Sequence, residues 1–131
     1  MSGDAYWTLP GGRPEIMETA AAALRREMLE EIGLAVQVGR ALCVAENFFT
    51  YRATPFHEIL MCFEMNVPSS AEVVDQRFGG INGNAHLTFW WCPLDVLDEV
   101  PLRPNFLLDV LLVTPRSLVH IIQDGRGGPA T

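Results

Sequence analysis

Apolar residues recur with the period of a helix near the start of the chain and with the period of a strand after it. Between Thr19 and Ile32 apolar residues recur every three or four positions, which predicts an amphipathic helix. Thr19 is a favoured N-cap residue and Gly33 a favoured terminator, so both ends of this helix are marked. One apolar stripe is expected to face the core: Ala21, Leu24, Met28 and Ile32.

Strand patterns follow this helix. Residues 34–51 are rich in Val, Ala and Phe and predict one bent strand or two short ones, and residues 52–55 predict a turn. Residues 56–67 alternate in polarity, which predicts the second strand of an antiparallel hairpin. After a loop-like stretch over residues 68–85, three further elements and a flexible tail are predicted: a strand at 86–92, a helix at 103–113, a short strand at 118–122 and the tail from about 124.

Length and charge limit the classes of function. The chain has 131 residues, and the prediction is a single domain over the whole of it. Its net charge is −7, and its nine basic residues are scattered, which argues against a nucleic-acid partner. A small anionic substrate is compatible with this charge where a divalent cation supplies positive charge locally.

The three cysteines and the apolar runs predict the compartment. Cys43, Cys62 and Cys92 lack the spacing of a zinc site or a disulfide framework, so they are predicted to be small buried residues in strands. The chain shows no signal-peptide pattern and no apolar run of membrane-spanning length. Together with reduced thiols, these features predict a soluble cytoplasmic protein without membrane association.

Three carboxylates crowd one part of the predicted helix. Glu27, Glu30 and Glu31 stand at positions i, i+3 and i+4, which brings their side chains together. A solvated acidic face is the ordinary explanation of such a pattern. The alternative is a site for Mg²⁺ or Mn²⁺, because hard divalent cations prefer oxygen ligands and would offset the repulsion between like charges.

The surroundings of these carboxylates favour the metal site. The segment from Gly12 to Leu34 resembles the sequence motif of the Nudix hydrolase family at every position that the motif specifies. The matching residues are Gly12, Glu18, Arg26, Glu27, Met28, Glu30, Glu31, Gly33 and Leu34.

The resemblance implies a fold and a set of roles. The fold would be an α/β class Nudix-like α/β/α sandwich with a mixed β-sheet. Glu27, Glu30 and Glu31, with the Gly11 carbonyl, would bind Mg²⁺ or Mn²⁺. Glu27, or a carboxylate from elsewhere, would help to deprotonate the water that attacks phosphorus. The supporting roles would fall to Gly12 and to two paired side chains: Arg26, which would orient Glu27, and Glu18, which would pair with Arg26.

Residues outside the motif are weaker candidates. An extra carboxylate could come from the loop that holds Glu72 and Asp75, or from the strand residues Glu58 and Glu46; solvated carboxylates are the alternative in each case. A nucleotide base could stack on aromatic residues, which are otherwise ordinary core: Phe48, Phe49, Tyr51 and Trp90.

The chain departs from the family at its start. Relatives usually have further strands ahead of the motif, whereas eleven residues precede Gly12, so the fold is expected to be N-terminally shortened. The explanations are a misassigned or trimmed start, a homodimer in which a partner covers the gap, and a gap filled by residues 118–122. The resemblance predicts a pyrophosphohydrolase that cleaves a small nucleotide. The alternative is a Nudix-fold module that binds a nucleotide without cleaving it.

Overall fold

The structure, a computed structural model, describes residues 6–68, 77–83 and 85–125. The described chain falls into two compact units. The first unit holds residues 6–8, 40–63 and 98–125, and the second holds residues 9–39, 64–68, 77–83 and 85–97. A single domain over the whole chain stays a prediction.

The helix predicted from the sequence is α1, Ala20–Glu31, in the second unit. It begins where expected, because the Thr19 hydroxyl oxygen accepts a hydrogen bond from the Ala22 amide at 3.1 Å. It ends where expected as well, since Gly33 adopts a left-handed φ of +82°, a conformation that glycine reaches without steric cost. The Thr19 cap and the Gly33 terminator are therefore both confirmed.

The buried side of α1 differs slightly from the predicted stripe. Met28 is buried as expected, with only 1% of its surface exposed. Ala23 is also buried, although it was not assigned to the stripe, whereas Ala21, Leu24 and Ile32 are half-buried. The helix therefore contacts its surroundings through a broader face than the four-residue stripe predicts.

A long hairpin supplies residues 40–63 of the first unit. Its strands are β1, Gln37–Tyr51, and β2, Thr54–Asn66, and the two residues between them have φ values of +51° and +64°. Consecutive left-handed residues are typical of the tight turn that joins antiparallel strands. Phe49 stacks on Phe56 and Phe48 stacks on His57, so residue numbers rise on one strand as they fall on the other. The predicted hairpin is confirmed, with a single continuous first strand.

The segment predicted to end the fold joins the same sheet. Strand β5, Val119–Asp124, pairs in parallel with β1 from Cys43↔Val119 to Phe48↔Asp124, which gives the strand order β2-β1-β5. Since β1 has an antiparallel neighbour on one side and a parallel neighbour on the other, the sheet is mixed, as predicted. The C-terminal apolar segment thus occupies one edge of the sheet.

Helix α2, Phe106–Val113, lies in the first unit and is shorter at its start than the predicted 103–113. Pro104 and the N-cap Asn105 precede it, and Leu107 and Val110 form its buried side. A short 3₁₀ helix, Leu94–Glu99, comes before it in the chain. Among the described residues, no helix is both long and apolar enough to cross a membrane.

A second, smaller sheet lies in the second unit. Strands β3, Arg77–Gly79, and β4, Thr88–Trp90, pair in antiparallel orientation, and Phe78 stacks on Phe89 across the pair. The prediction of a loop over residues 68–85 is therefore wrong for β3. Glycines follow Phe78 directly, and a partner strand some ten residues away supplies the aromatic contact that a local pattern does not reveal.

Two of the three cysteines are buried where β1 and β2 pair. Cys43 has none of its surface exposed and Cys62 has 6%, and their thiols hydrogen-bond to each other. Burial raises the pKa of the Cys43 thiol and raises that of Cys62 to about 11. Burial in strands is confirmed for both, whereas Cys92 is half-buried just after β4.

We expect the Cys43 and Cys62 thiols to resist alkylation in the folded protein. At pH 8 a thiol with a pKa of about 11 is ionised in roughly one molecule per thousand, and the thiolate is the reactive form. Iodoacetamide labelling followed by peptide mass spectrometry checks this, with a urea-unfolded sample as the control. Labelling of Cys62 at the same rate in both samples would contradict the buried thiol pair.

Candidate functional site

The acidic motif lies wholly within the second unit. Gly12 and Glu18 lie in the loop before α1, Glu27, Glu30 and Glu31 stand on the last turns of that helix, and Gly33 follows it. The cap at Thr19 fixes where the helix begins, and this sets the direction in which Glu27, Glu30 and Glu31 project. Three acidic side chains of the motif, those of Glu18, Glu27 and Glu30, bond to Arg26.

Arg26 holds three of the acidic side chains. Its Nε and Nη2 donate hydrogen bonds to the two oxygens of Glu18 at 2.9 and 3.0 Å, a bidentate pair that fixes the plane of the guanidinium. Its Nη1 donates to Glu27 Oε1 at 2.9 Å and to Glu30 Oε2 at 3.2 Å. One arginine therefore sets the spacing of two carboxylates on successive turns of α1.

The pKa values of this pair keep both groups charged. Hydrogen bonding to Arg26, followed by a hydrogen bond from the Glu15 amide, lowers the pKa of the Glu18 carboxyl. Hydrogen bonding to Glu18 and then to Glu27 raises the pKa of the Arg26 guanidinium against the opposing effect of burial. Because Arg26 also donates to the Arg13 carbonyl at 3.3 Å, the same pair ties the loop to the helix.

Gly12 lies directly against the Glu27 carboxylate. A Cβ atom at this position would stand 2.6 Å from both Cδ and Oε1 of Glu27, closer than any unstrained contact. A side chain at position 12 would therefore displace the carboxylate. The motif needs glycine here because the loop backbone packs against this functional group, and the reason is close approach rather than a special φ.

Glu31 carries the strongest sign of crowded negative charge. Burial, a hydrogen bond to Glu27, and the nearby charges of Glu27 and then Glu30 raise the pKa of Glu31 from 4.5 to about 7. Each of these causes disfavours the ionised carboxylate. A cation placed among these side chains would have the opposite effect, since it lowers the free energy of the ionised form.

We expect Glu31 to make the metal-free protein less stable as pH rises. In the unfolded chain its pKa is near 4.5, whereas in the folded chain it is about 7, so the folded state binds the proton more tightly. The contribution of Glu31 to the free energy of unfolding is therefore fully present below pH 4.5 and is lost between pH 4.5 and 7.

Urea unfolding with EDTA at pH 5 and pH 8 measures this effect. The loss of stability between the two pH values is expected to be larger in the wild type than in Glu31→Gln, which keeps the size of the side chain but does not titrate. Parallel pH profiles for the two proteins would show that Glu31 has its ordinary pKa.

The donor set of the motif matches a hard divalent cation. It consists of carboxylate oxygens, burial and then the neighbouring Glu27 and Glu30 carboxylates raise the pKa of Glu31, and Gly12 leaves the loop backbone close to Glu27. In the part of the chain that the structure describes, no group of three acidic, His or Cys side chains is already arranged to hold a metal ion. Hydrogen bonds to Arg26 and between Glu27 and Glu31 engage these carboxylates instead. The residues fit a cation in charge and chemistry, with side-chain rotation required to converge on it.

The candidates outside the motif have other surroundings. Glu72 and Asp75 lie outside the described residues. Trp90, in the second unit, packs under the Arg77 guanidinium at 4.8 Å from the ring centroid. The other candidates belong to the first unit: Glu46, Phe48, Phe49, Tyr51 and Glu58. Glu46 pairs with His120 at 2.8 Å, and Tyr51 contacts the Arg52 guanidinium, so their surroundings include ordinary structural partners.

One polar residue of the first unit was not found from the sequence. Asn47 stands in the interior of β1 with 1% of its surface exposed, and its Nδ2 donates to Glu58 Oε1 at 3.1 Å. Its Oδ1 has no hydrogen-bond partner among the described residues. Such burial of an amide is costly, and Asn is uncommon in strand interiors, which was the available signal. Asn47 therefore fixes the carboxylate of Glu58, whichever role that carboxylate has.

The sequence comparison assigns the family. A family model of the NUDIX domain matches residues 2–110, which is most of the chain and includes the whole acidic motif. The chain belongs to the Nudix family, and its α/β fold with a mixed sheet agrees with this membership. The family is one of pyrophosphohydrolases that generally use divalent cations, and this confirms the resemblance predicted from Gly12 to Leu34.

Proposed function

We propose that this protein is a metal-dependent hydrolase that cleaves the diphosphate linkage of a nucleoside diphosphate or triphosphate derivative. The observation that carries the proposal is the crowding of Glu27, Glu30 and Glu31 on α1, beside Arg26 and Gly12. We call the motif from Gly12 to Leu34 the box, and these three side chains the box carboxylates. Membership of the Nudix family supports the same conclusion. Like charges at positions i, i+3 and i+4 of a helix repel one another, and a bound cation would offset that repulsion.

The ligands would be Glu27, Glu30 and Glu31, joined by the Gly11 carbonyl, and the cation would be Mg²⁺ or Mn²⁺. When bound, the cation supplies positive charge for the phosphate oxygens and lowers the pKa of a coordinated water. Oxygen-only ligands favour these two metals over zinc.

The chain's own residues would orient the reaction. Glu18 holds Arg26 through two hydrogen bonds, and Arg26 holds Glu27 Oε1, which leaves the carboxylate of Glu27 in a fixed direction. Glu27, or a carboxylate outside the box, would accept the proton of the attacking water. The water oxygen would form the new bond to phosphorus, and the bridging P–O bond would break, releasing two phosphorylated products.

The substrate is proposed as a class. A small nucleotide agrees with the acidic net charge of −7, which disfavours nucleic acid, and Trp90, which belongs to the same unit as the motif, is proposed to stack on its base. A homodimer and a cytoplasmic location stay predictions. Light scattering on the purified protein would test the first of these.

A substrate screen tests the proposed function. Nucleoside triphosphates, dinucleoside polyphosphates and sugar nucleotides would be incubated with Mg²⁺ or Mn²⁺, and ³¹P NMR would identify the products. We expect hydrolysis that stops with EDTA, with ¹⁸O from labelled water appearing on one phosphate product. Tight nucleotide binding without turnover under all of these conditions would contradict the hydrolase and favour a sensor.

A further inference from the structure

A loop after β3 closes the C-terminal end of α1. The backbone amide of Ile81 donates a hydrogen bond to the Glu31 carbonyl at 2.8 Å, and Asn82 Nδ2 donates to the Glu30 carbonyl at 3.1 Å. Both residues lie just after β3, and the Gly80 amide between them and the strand donates a hydrogen bond at 3.3 Å to the carbonyl of Leu87, the residue before β4. The two strands are thereby connected to the helix that carries the box carboxylates.

These two hydrogen bonds supply donors that two carbonyls at the C-terminal end of α1 would otherwise lack. The last four carbonyls of an α-helix have no partner within it. Here the Met28 and Leu29 carbonyls accept from the amides of Ile32 and Gly33, which is the ordinary C-cap arrangement. The remaining two belong to Glu30 and Glu31, and the loop supplies their donors. The loop therefore bonds to the backbones of two of the three carboxylate residues.

The conformation of the loop depends on Asn82. Asn82 and Gly83 have φ values of +52° and +85°, the left-handed pair for which Asn-Gly is the favoured sequence. The Ile81 side chain reaches within 3.0 Å of where a Cβ of Gly33 would stand, so the loop also packs on the helix terminator. Asn82 both permits the turn and donates the hydrogen bond.

We propose that Asn82 is a positioning residue for the metal ligands Glu30 and Glu31, an inference that rests on the proposed function. The position of a carboxylate on the last turn of a helix depends on that turn keeping its helical conformation. Helix ends fray when their carbonyls lack donors. By holding the Glu30 carbonyl, Asn82 keeps the last turn of α1 helical and limits the positions that the two carboxylates can take. Partners that bond directly to metal-ligating groups change metal affinity by about 10- to 100-fold, and we expect the lower end of this range for a partner that acts through the backbone.

The variant Asn82→Gly separates the turn from the hydrogen bond. Glycine accepts the left-handed φ but has no side-chain donor. Asn105→Gly is the matched control, because Asn105 is exposed and its side chain makes no capping hydrogen bond. The two readouts are the Kd for Mn²⁺, from the EPR signal of the free ion, and hydrogen exchange of the Ile32 and Gly33 amides in metal-free protein.

We expect Asn82→Gly to weaken Mn²⁺ binding about 10-fold and to speed exchange at Ile32 and Gly33, while amides in the first half of α1 are unchanged. Asn105→Gly should match the wild type in both. If Asn82→Gly does not fold, hydrogen exchange is measured in Asn82→Asp instead. Aspartate keeps the left-handed preference of asparagine and lacks the donor.

Unchanged Mn²⁺ affinity and unchanged exchange in Asn82→Gly would overturn the positioning role while leaving the proposed function intact. If Asn82→Gly lost global stability but kept the wild-type Mn²⁺ affinity, the positioning role would also be overturned, because Asn82 would then stabilise the fold without affecting the metal ligands. Absence of Mn²⁺ binding in the wild type would overturn the proposed function, and this inference with it.

Discussion

Replacing Glu27 with Gln should lower the rate of metal-dependent hydrolysis by roughly 10²- to 10⁴-fold, the range that the loss of a positioned general base produces. Glu27 lies at the meeting point of the site, where it contacts Arg26 Nη1 at 2.9 Å, the Glu31 carboxyl and the backbone beside Gly12. The substitution keeps the shape of the side chain but removes the charge that would bind a cation and accept a proton. The measurement is the single-turnover rate with saturating Mg²⁺, with circular dichroism to confirm folding.

Glu15→Gln is the matched control for this experiment. Glu15 also has a carboxylate near Arg26, at 3.9 Å, but 71% of its side chain is exposed and it is not part of the box. Removing this charge should change the rate less than about 2-fold, because exposed ion pairs contribute little. If Glu15→Gln and Glu27→Gln lowered the rate equally, the effect would be one of general electrostatics around Arg26. If neither lowered it, Glu27 would have no catalytic role.

The elements with strong local signals were predictable from the sequence. The helical period, Thr19 and Gly33 gave α1 nearly to the residue, because capping depends on side chains adjacent in sequence. The alternation after residue 55 gave β2, although the strand begins slightly earlier, at Thr54. The three carboxylates of α1 could be grouped from their spacing, because sequence separation and distance correspond on one helix face. Their assignment to a metal site came from the resemblance to the Nudix motif.

Features that depend on distant partners were not predictable. β3 owes its pairing to Phe89, and Asn82 meets Glu30 across more than fifty positions of sequence. Asn47 looks like an exposed polar residue until the hairpin places it opposite Glu58. The sequence named Arg26, Glu18 and Glu27 together, but only the structure gives the bidentate geometry at 2.9 and 3.0 Å that connects them.

Gly12→Ala should lower the hydrolysis rate by about 10²-fold while leaving the protein folded, since misplacing a catalytic group by about 1 Å costs a factor of this size. The added Cβ would stand 2.6 Å from the Glu27 carboxylate, which lies at the end of a flexible side chain and can rotate away. The substitution should therefore lower the hydrolysis rate and leave the free energy of unfolding unchanged. Gly79→Ala is the matched control, because its nearest neighbours lie at 3.5 and 4.0 Å, ordinary contact distances.

A double-mutant cycle determines whether Gly12 acts through Glu27. If the added methyl group lowers the rate only by moving the Glu27 carboxylate, then Gly12→Ala should have little further effect once Glu27 is already Gln. The rate of the double variant would then lie close to that of Glu27→Gln alone. A loss in the double variant equal to the two single losses combined would contradict this. It would mean that the backbone at Gly12 contacts the substrate or the cation directly. The close approach of Gly12 to Oε1 of Glu27 favours the non-additive result. Once the Glu27 carboxylate has been replaced, a methyl group at position 12 can no longer displace it.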